Sequence, residues 1–159
     1  MRKILLLTTC LLAFSSVFAQ GNRVITTGVP FLSVSADARA AGMADIGVAT
    51  SADAFSQQWN PAKYAFAVDK QGVSLSYTPY LTDLANDIAL GQLTYYNRIN
   101  ERSAFATSLR YFSFGEIELR QTGEPNEDTR KVSPNEFALD GSYSLKLSET
   151  FSMAVAGRY

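Results

Sequence analysis

Apolar and polar residues alternate from Phe137 to Tyr159, the most regular stretch of the chain. In its first half, every second residue from Phe137 is apolar or Gly, and the residues between them are small, polar or charged. The pattern restarts at Phe151, after the polar Ser148-Glu149-Thr150. A period of two is typical of a β-strand with one apolar face, so this stretch predicts two strands joined in a hairpin.

The length and composition of these strands favour a membrane barrel. Each strand is about as long as the ~9–11 residues that cross a bilayer as a tilted strand. The polar face consists mainly of Ala, Ser and isolated charges, and aromatic residues lie near the strand ends. Both features are typical of an outer-membrane barrel whose polar face lines the lumen. A soluble β-sandwich alternates in the same way and remains the alternative.

Three more strands are predicted ahead of the hairpin, over Gly72–Pro79, Asp87–Asn97 and Ser103–Leu119. The apolar positions of the second strand change face, which predicts a β-bulge near Gly91-Gln92. Gly115 predicts another bulge in the third strand, which is too long for a bilayer and should project into water. The predicted fold class is all-β, a transmembrane antiparallel β-barrel of the outer-membrane type.

Short and long connections alternate between the predicted strands of residues 68–159. The short ones are Asn97–Arg102 and Ser148–Thr150, and the longest is Gln121–Asn135. Outer-membrane barrels have short periplasmic turns and long outer loops, so we expect Gln121–Asn135 to face outward. Five strands are fewer than the roughly eight of the smallest usual barrels. We therefore expect the chain to be the N-terminal part of a longer protein, the alternative being a barrel completed by other chains.

Residues 1–19 are predicted to be a secretory signal peptide. Arg2-Lys3 precedes the apolar run Ile4–Phe18, and small residues at Val17 and Ala19 predict cleavage before Gln20. A transmembrane anchor is the alternative, but the apolar run is short and no charge cluster follows it. Cleavage removes the only Cys and two of the 14 basic residues and leaves the 15 acidic ones, a net charge of about −3.

Residues 20–67 are rich in Ala, Gly, Ser and Asp. Helical turns are predicted over Ala36–Met43, with Ser35 as N-cap, and over Asp53–Trp59. The second helix should end before Asn60-Pro61, because the residue before a Pro avoids the helical conformation. So many small residues favour tight packing inside or under the barrel, the alternative being a loosely ordered periplasmic tail. The motif Asn60-Pro61-Ala62 either shapes a plug that gates the lumen or is an ordinary helix stop.

Three further stretches carry distinctive combinations of small residues. They read ITTGVPFL over 25–32, DARAAGMADIGVAT over 37–50 and WNPAKYAF over 59–66. Together with 72–79, 109–113 and 134–138, they resemble the PorV family, outer-membrane barrels of the type IX secretion system of Bacteroidota. More distantly, the stretch ending in Asn60-Pro61-Ala62 is similar to the FadL long-chain fatty-acid transporters. The resemblance implies a FadL-like barrel of about fourteen strands, within the range of such barrels.

The resemblance implies a non-enzymatic function in the cell outer membrane. Members of the PorV family receive cargo proteins from the translocon by binding their C-terminal signal domain. They deliver the cargo to a sortase-bearing attachment complex, where it is anchored to lipopolysaccharide. The expected partners are therefore cargo signal domains, the translocon, the attachment complex and outer-membrane lipid. The alternative is a FadL-type transporter that moves a small hydrophobic ligand through the lumen.

The composition argues against an enzyme. The chain has no His, and its single Cys lies in the predicted signal peptide, so the common nucleophile–base pairs are missing. The acid pairs Asp83/Asp87 and Glu116/Glu118 are predicted to be solvated surface charges. The acidic residues of 124–128 lack the ligand spacing of a calcium loop. No cofactor or metal is expected, and no basic block predicts nucleic-acid binding.

A candidate partner-contact region comprises Phe112, Phe114, Ile117 and Leu119, at or beyond the predicted membrane edge. Exposed apolar groups there are unfavourable unless something covers them. Either loops from the rest of the barrel pack on them, or they form a docking surface for the cargo signal domain or the translocon. The charges predicted to face the lumen are expected to form ion pairs, with a substrate path as the alternative; they are Arg110, Asp140, Lys146 and Arg158.

Overall fold

The computed structural model describes residues 28–82, 87–119 and 130–159. The predicted signal peptide with its cleavage site, Asp83, and most of the predicted outer loop lie outside these ranges. Residues Phe31–Tyr159 form one compact unit, which contains the sheet. Within the described residues, no helix combines the length and the apolar content needed to cross a membrane.

Five antiparallel strands form one open sheet, in the order β1-β2-β3-β6-β7. The strands are β1 Gln71–Pro79, β2 Ile88–Arg98, β3 Ser103–Phe114, β6 Asn135–Lys146 and β7 Ser152–Arg158. Two further short strands, β4 Ile117–Leu119 and β5 Arg130–Val132, pair only with each other in a separate ribbon. The all-β antiparallel class is confirmed, and the open sheet is consistent with part of a barrel.

The sheet has two chemically different faces because side chains alternate along each strand. The apolar face carries Val73, Leu75, Tyr77, Leu93, Phe105, Leu109, Tyr111, Phe137, Leu139, Tyr143, Leu145, Met153 and Val155, each at least 36% exposed. The polar face carries Ser74, Ser76, Gln92, Thr94, Ser108, Arg110, Asp140, Ser142 and Ser144, with Ala104, Ala106 and Ala138 between them. The residues that alternation assigns to the apolar face of the hairpin are all found there.

The predicted bulge near Gly91-Gln92 is wrong. Gly91 lies opposite Tyr77 and Tyr111, and Gln92 lies opposite Ser76 and Arg110, in an unbroken register on both sides. The apparent change of face arises because Leu90 is an apolar residue on the polar face. Leu90 is fully buried there, in a cluster with Phe31.

The prediction of one long strand over Ser103–Leu119 is also wrong. β3 ends at Phe114, and Gly115 has a φ of +77°, in the left-handed region that favours Gly because it has no Cβ. The turn at Gly115 directs Ile117–Leu119 away from the main sheet and into the ribbon. The ribbon takes Arg130–Val132 out of the predicted outer loop as its second strand.

Residues 31–67, named here the covering segment, pack on the polar face of the sheet. Phe31 contacts Leu90 at the end where the long connections lie. Tyr64 contacts Tyr96 near the short turns. The covering segment therefore spans the polar face from one end to the other before it enters β1.

The covering segment contains only short helices. These are α1 Ala38–Gly42, α2 Ser56–Trp59 and two 3₁₀ helices, Pro30–Ser33 and Pro61–Phe66, the first beginning one residue before the segment. The predicted N-cap Ser35 is wrong, since the carboxylate of Asp37 caps α1 by accepting a hydrogen bond from Arg39 N at 2.8 Å. Asp37 directly precedes the helix, where its side chain reaches the free N–H groups of the first turn. The predicted helix end before Asn60-Pro61 is confirmed.

Candidate functional site

Arg110 carries the most deeply buried charge among the described residues, at 1% exposure. Its Nη1 donates to Leu32 O at 3.1 Å and to Val34 O at 3.4 Å, and its Nη2 donates to Gln92 Oε1 at 3.1 Å. Two of these acceptors are backbone carbonyls of the covering segment. One guanidinium, with its fork of donors, therefore ties the covering segment to both β2 and β3.

Two other cations of the polar face are paired with carboxylates. Arg158 forms an ion pair with Asp140, as predicted. Lys146 pairs with Glu149 of the following turn, at 2.8 Å between Nζ and Oε2. Arg110 differs from both, because its hydrogen bonds go to neutral oxygens. Its role is therefore to hold the backbone of the covering segment.

Tyr64 fixes the covering segment at the other end of the polar face. Its ring stacks on Tyr96 with the centroids 4.8 Å apart. Its hydroxyl accepts a hydrogen bond from Gln57 N at 2.8 Å and donates one to Ala54 O at 3.0 Å. Burial raises the pKa of the Tyr64 phenol well above its ordinary value. The hydroxyl therefore stays protonated and keeps its role as a donor.

Tyr64→Phe is expected to destabilise the protein by about 1–3 kcal/mol, the cost of leaving buried hydrogen-bonding groups without partners. The substitution keeps the stacked ring and removes the hydroxyl that satisfies Gln57 N–H and Ala54 C=O. Urea unfolding of the protein in lipid vesicles measures the change. Tyr77→Phe is the matched control, since Tyr77 is 69% exposed on the apolar face. Equal unfolding free energies for the two variants would contradict this role.

The motif Asn60-Pro61-Ala62 lies where the covering segment passes the short-turn end of the sheet. Asn60 Oδ1 accepts a hydrogen bond from Ala62 N at 3.2 Å and caps the 3₁₀ helix that begins at Pro61. Ala62 O accepts a hydrogen bond from Ser152 Oγ of β7 at 2.8 Å. The motif thus anchors the covering segment to the last strand, and its gating role stays a prediction.

Lys63 connects the motif to the preceding loop of the covering segment. Its Nζ donates to Gly47 O at 2.7 Å and to Thr50 Oγ1 at 3.1 Å. Desolvation lowers the pKa of the Lys63 ammonium, and the nearby carboxylate of Asp53 opposes this change. The Lys63 ammonium therefore binds oxygen atoms within the covering segment. Arg110, by contrast, binds carbonyl oxygens of the covering segment from its position on the sheet.

The predicted partner-contact residues fall into two groups. Phe112 and Phe114 share the end of β3, with ring centroids 4.7 Å apart. Phe112 also stacks on Phe31 of the covering segment, which leaves it half-buried. Ile117 and Leu119 lie on β4 and are 45% and 52% exposed. The ribbon therefore offers more open apolar surface than the aromatic cluster.

An ion pair closes the base of the ribbon. Lys131 of β5 binds Glu116, just before β4. The hydrogen bond that Lys131 donates to this carboxylate raises the pKa of Lys131. Glu116 and Glu118 are both exposed, as predicted from the sequence, and Glu116 forms its ion pair with Lys131 at the surface.

Sequence reasoning missed three residues that hold the covering segment: Gln92, Tyr64 and Gln57. Gln57 is buried and receives a hydrogen bond from Ser142 of β6. Only Gln92 left a signal, since a long amide side chain lies between the apolar residues Leu90 and Leu93 of its strand. Among residues 28–82, 87–119 and 130–159, no group of His, Cys, Asp or Glu side chains is arranged to hold a metal ion.

The fold and this site define an all-β protein whose antiparallel sheet has an apolar face and a polar face covered by the protein's own N-terminal region. The chain belongs to the PorV family of type IX secretion system proteins, whose family model matches residues 17–159. No curated protein matches the chain. Membership connects the chain to type IX secretion, and the family is not known as an enzyme family.

Proposed function

We propose that this protein is a non-enzymatic outer-membrane component of the type IX secretion system. It binds the C-terminal signal domains of cargo proteins and delivers them from the translocon to the sortase attachment complex, which anchors them to lipopolysaccharide. The observation that carries this proposal is the family match over residues 17–159. Residues 1–19 act as the signal peptide that sends the chain out of the cytoplasm.

The apolar face of the sheet supports a location in the outer membrane. Its large apolar side chains are exposed on all five long strands, including Leu75 of β1 and Val155 of β7. A continuous apolar surface of this kind is unfavourable in water unless it is covered. Lipid hydrocarbon covers it when the strands cross the bilayer, with every second side chain facing lipid.

The packing of the covering segment supports its role as a plug. Arg110 holds its beginning, and Tyr64 holds its end. A lumen filled in this way favours cargo recognition at the outer surface over passage through the barrel. For the same reason, the described residues offer no support to the transporter alternative.

The ribbon β4–β5 and the loop that joins its strands are the proposed contact with cargo or translocon. Ile117 and Leu119 place apolar side chains on the ribbon, and its strands carry Glu118 opposite Lys131. Loops presented by a rigid barrel are frequent sites of recognition. Apolar groups inside a charged rim are typical of protein-binding surfaces.

Replacing residues 121–134 with a short Gly-Ser turn is expected to reduce the display of cargo on the cell surface. The replacement removes β5 and, with it, the partner strand that orders Ile117 and Leu119. The five long strands all lie outside residues 121–134, so barrel insertion should persist. Proteolysis of cargo on intact cells measures the amount displayed at the surface. The heat-dependent shift in gel mobility measures the fraction of the protein that is a folded barrel.

A matched control changes a connection at the opposite end of the sheet. Substituting Glu149→Gln in the turn between β6 and β7 alters an exposed charge without touching the ribbon. Cargo display should be normal in this control. Normal display in the loop replacement as well, with a folded barrel, would rule the ribbon out as a required contact.

A further inference from the structure

A cleft of about 620 Å³ lies at the short-turn end of the sheet, at the border of the apolar face. It is lined by Asn100, Glu101, Arg102, Ser103, Tyr143 and Leu145. The first four belong to the β2–β3 turn and the start of β3, and the last two project from β6 on the apolar face. One side of the cleft is therefore polar, and the other continues the surface assigned to lipid.

The polar side of the cleft is built rigidly. Asn100 Oδ1 accepts hydrogen bonds from the backbone N–H groups of Arg102 and Ser103, both at 2.9 Å. Arg102 O accepts a hydrogen bond from Lys146 N at 2.6 Å, which fixes the turn to β6. The backbone that carries Glu101 and Arg102 is thus held on two sides.

Two opposite charges lie side by side on this turn. Glu101 and Arg102 are both exposed, and neither side chain has an ion-pair partner in the part of the chain that the structure describes. They are neighbours in sequence, so a ligand that spans both must carry a cation and an anion close together.

Ser103 provides a second, independent sign of a ligand. The residue is 3% exposed, and its hydroxyl is buried without a hydrogen-bond partner among the described residues. Buried hydroxyl groups are seldom left unsatisfied, because the lost hydration is not replaced. An acceptor oxygen of a molecule seated in the cleft would complete the bonding of Ser103.

We propose that this cleft binds a zwitterionic phospholipid of the phosphatidylethanolamine type. Arg102 binds the phosphate through its fork of N–H donors, and Glu101 binds the amine. Ser103 donates to a phosphate or ester oxygen. The acyl chains lie along Leu145 and then Tyr143, which continue the apolar face away from the turn.

This assignment rests on the membrane location proposed above, and the charges decide which lipid is bound. A purely anionic lipid would satisfy Arg102 and be repelled by Glu101. Lipopolysaccharide carries several phosphates and fits this single Arg poorly. If the short turns face the periplasm, the cleft lies in the leaflet made of phospholipid. The lipid would then fix the depth and tilt of the strands at that end.

The test is native mass spectrometry of the full-length protein, purified in mild detergent and titrated with phosphatidylethanolamine. Arg102→Gln is expected to weaken lipid retention about tenfold, the loss expected for one charge-assisted interaction with phosphate. Glu101→Gln should remove the preference for phosphatidylethanolamine over phosphatidylglycerol. Lys70→Gln is the matched control, an exposed cation at the same end that does not line the cleft, and it should bind lipid as the native protein does.

Several outcomes would overturn the proposal. They are equal retention by the native protein and Arg102→Gln, an equal loss in Lys70→Gln, and displacement of the lipid by inorganic phosphate. Membrane fractionation of the cells that produce the protein distinguishes the lipid site from the proposed location in the outer membrane. A protein that inserts and displays cargo but retains no phosphatidylethanolamine refutes the lipid site alone. A protein absent from the outer membrane refutes the membrane location, and the lipid site with it.

Discussion

Leu139→Arg is expected to reduce insertion of the protein into lipid vesicles severely. Leu139 lies in the middle of β6, between Leu109 of β3 and the end of β7, and is 49% exposed on the apolar face. An Arg on the lipid face of such a barrel costs about 2–4 kcal/mol at the bilayer midplane. Because insertion and folding are coupled, the yield of heat-resistant barrel measures the effect in full-length protein.

The control for this variant must add Arg to the opposite face without a clash. Ser142→Arg is unsuitable, since the Ser142 hydroxyl contacts Gln57 of the covering segment. Ala156→Arg is the better control, because Ala156 lies on the polar face of β7 and is exposed. The control should insert nearly as well as the native chain. Equal yields for Leu139→Arg and Ala156→Arg would show that the faces are assigned wrongly.

The two faces could be predicted from the sequence because alternation is a local property. The face on which Leu139 lies depends only on its odd or even position within β6, and the other residues of the strand alternate in the same register. The short turns could be predicted for a similar reason, since polar residues interrupt the pattern at Ser148–Thr150. These features require no knowledge of distant parts of the chain.

The errors arose where a distant segment or a single backbone angle decides the structure. Leu90 looked like a change of face because its cover, Phe31, comes from the covering segment, far from β2 in the sequence. Gly115 looked like a bulge, and its positive φ instead turns the chain out of the sheet. The pairing of β4 with β5 depends on the direction that the chain takes after this turn, and strands of three residues are too short to show a periodicity.

The hydrogen bonds from Arg110 to the covering segment could not be predicted from the sequence, because they also depend on a distant segment. Its acceptors Leu32 and Val34 lie 78 and 76 residues away in the chain, and they are backbone carbonyls, which every residue has. The sequence indicated that Arg110 faces the lumen and suggested an ion pair. The structure assigns the carboxylate of Asp140 to Arg158 and leaves Arg110 for the covering segment.

Arg110→Met is expected to release the beginning of the covering segment while the sheet persists. Met fills much of the same space but leaves Leu32 O and Gln92 Oε1 without their donor, while Val34 O keeps its hydrogen bond from Gln58 Nε2 at 3.3 Å. The free energy that holds the beginning of the covering segment on the sheet should fall by on the order of 3 kcal/mol. Hydrogen bonds to a charged group contribute ~1.5–3 kcal/mol each, and Met avoids the cost of burying the charge. Hydrogen exchange of residues 31–36 measures the release directly.

The design separates a local release from general unfolding. Arg110→Lys keeps the charge and loses the fork, so it should protect residues 31–36 only in part. Arg39→Met removes an Arg on the covering segment whose partner, Asp53, is reached at the surface, and surface ion pairs contribute roughly 0–1 kcal/mol. Exchange in β3 and β6 should be unchanged in all three variants. If Arg110→Met leaves residues 31–36 as protected as Arg39→Met does, the covering segment is held by its apolar contacts at Phe31 and not by the guanidinium.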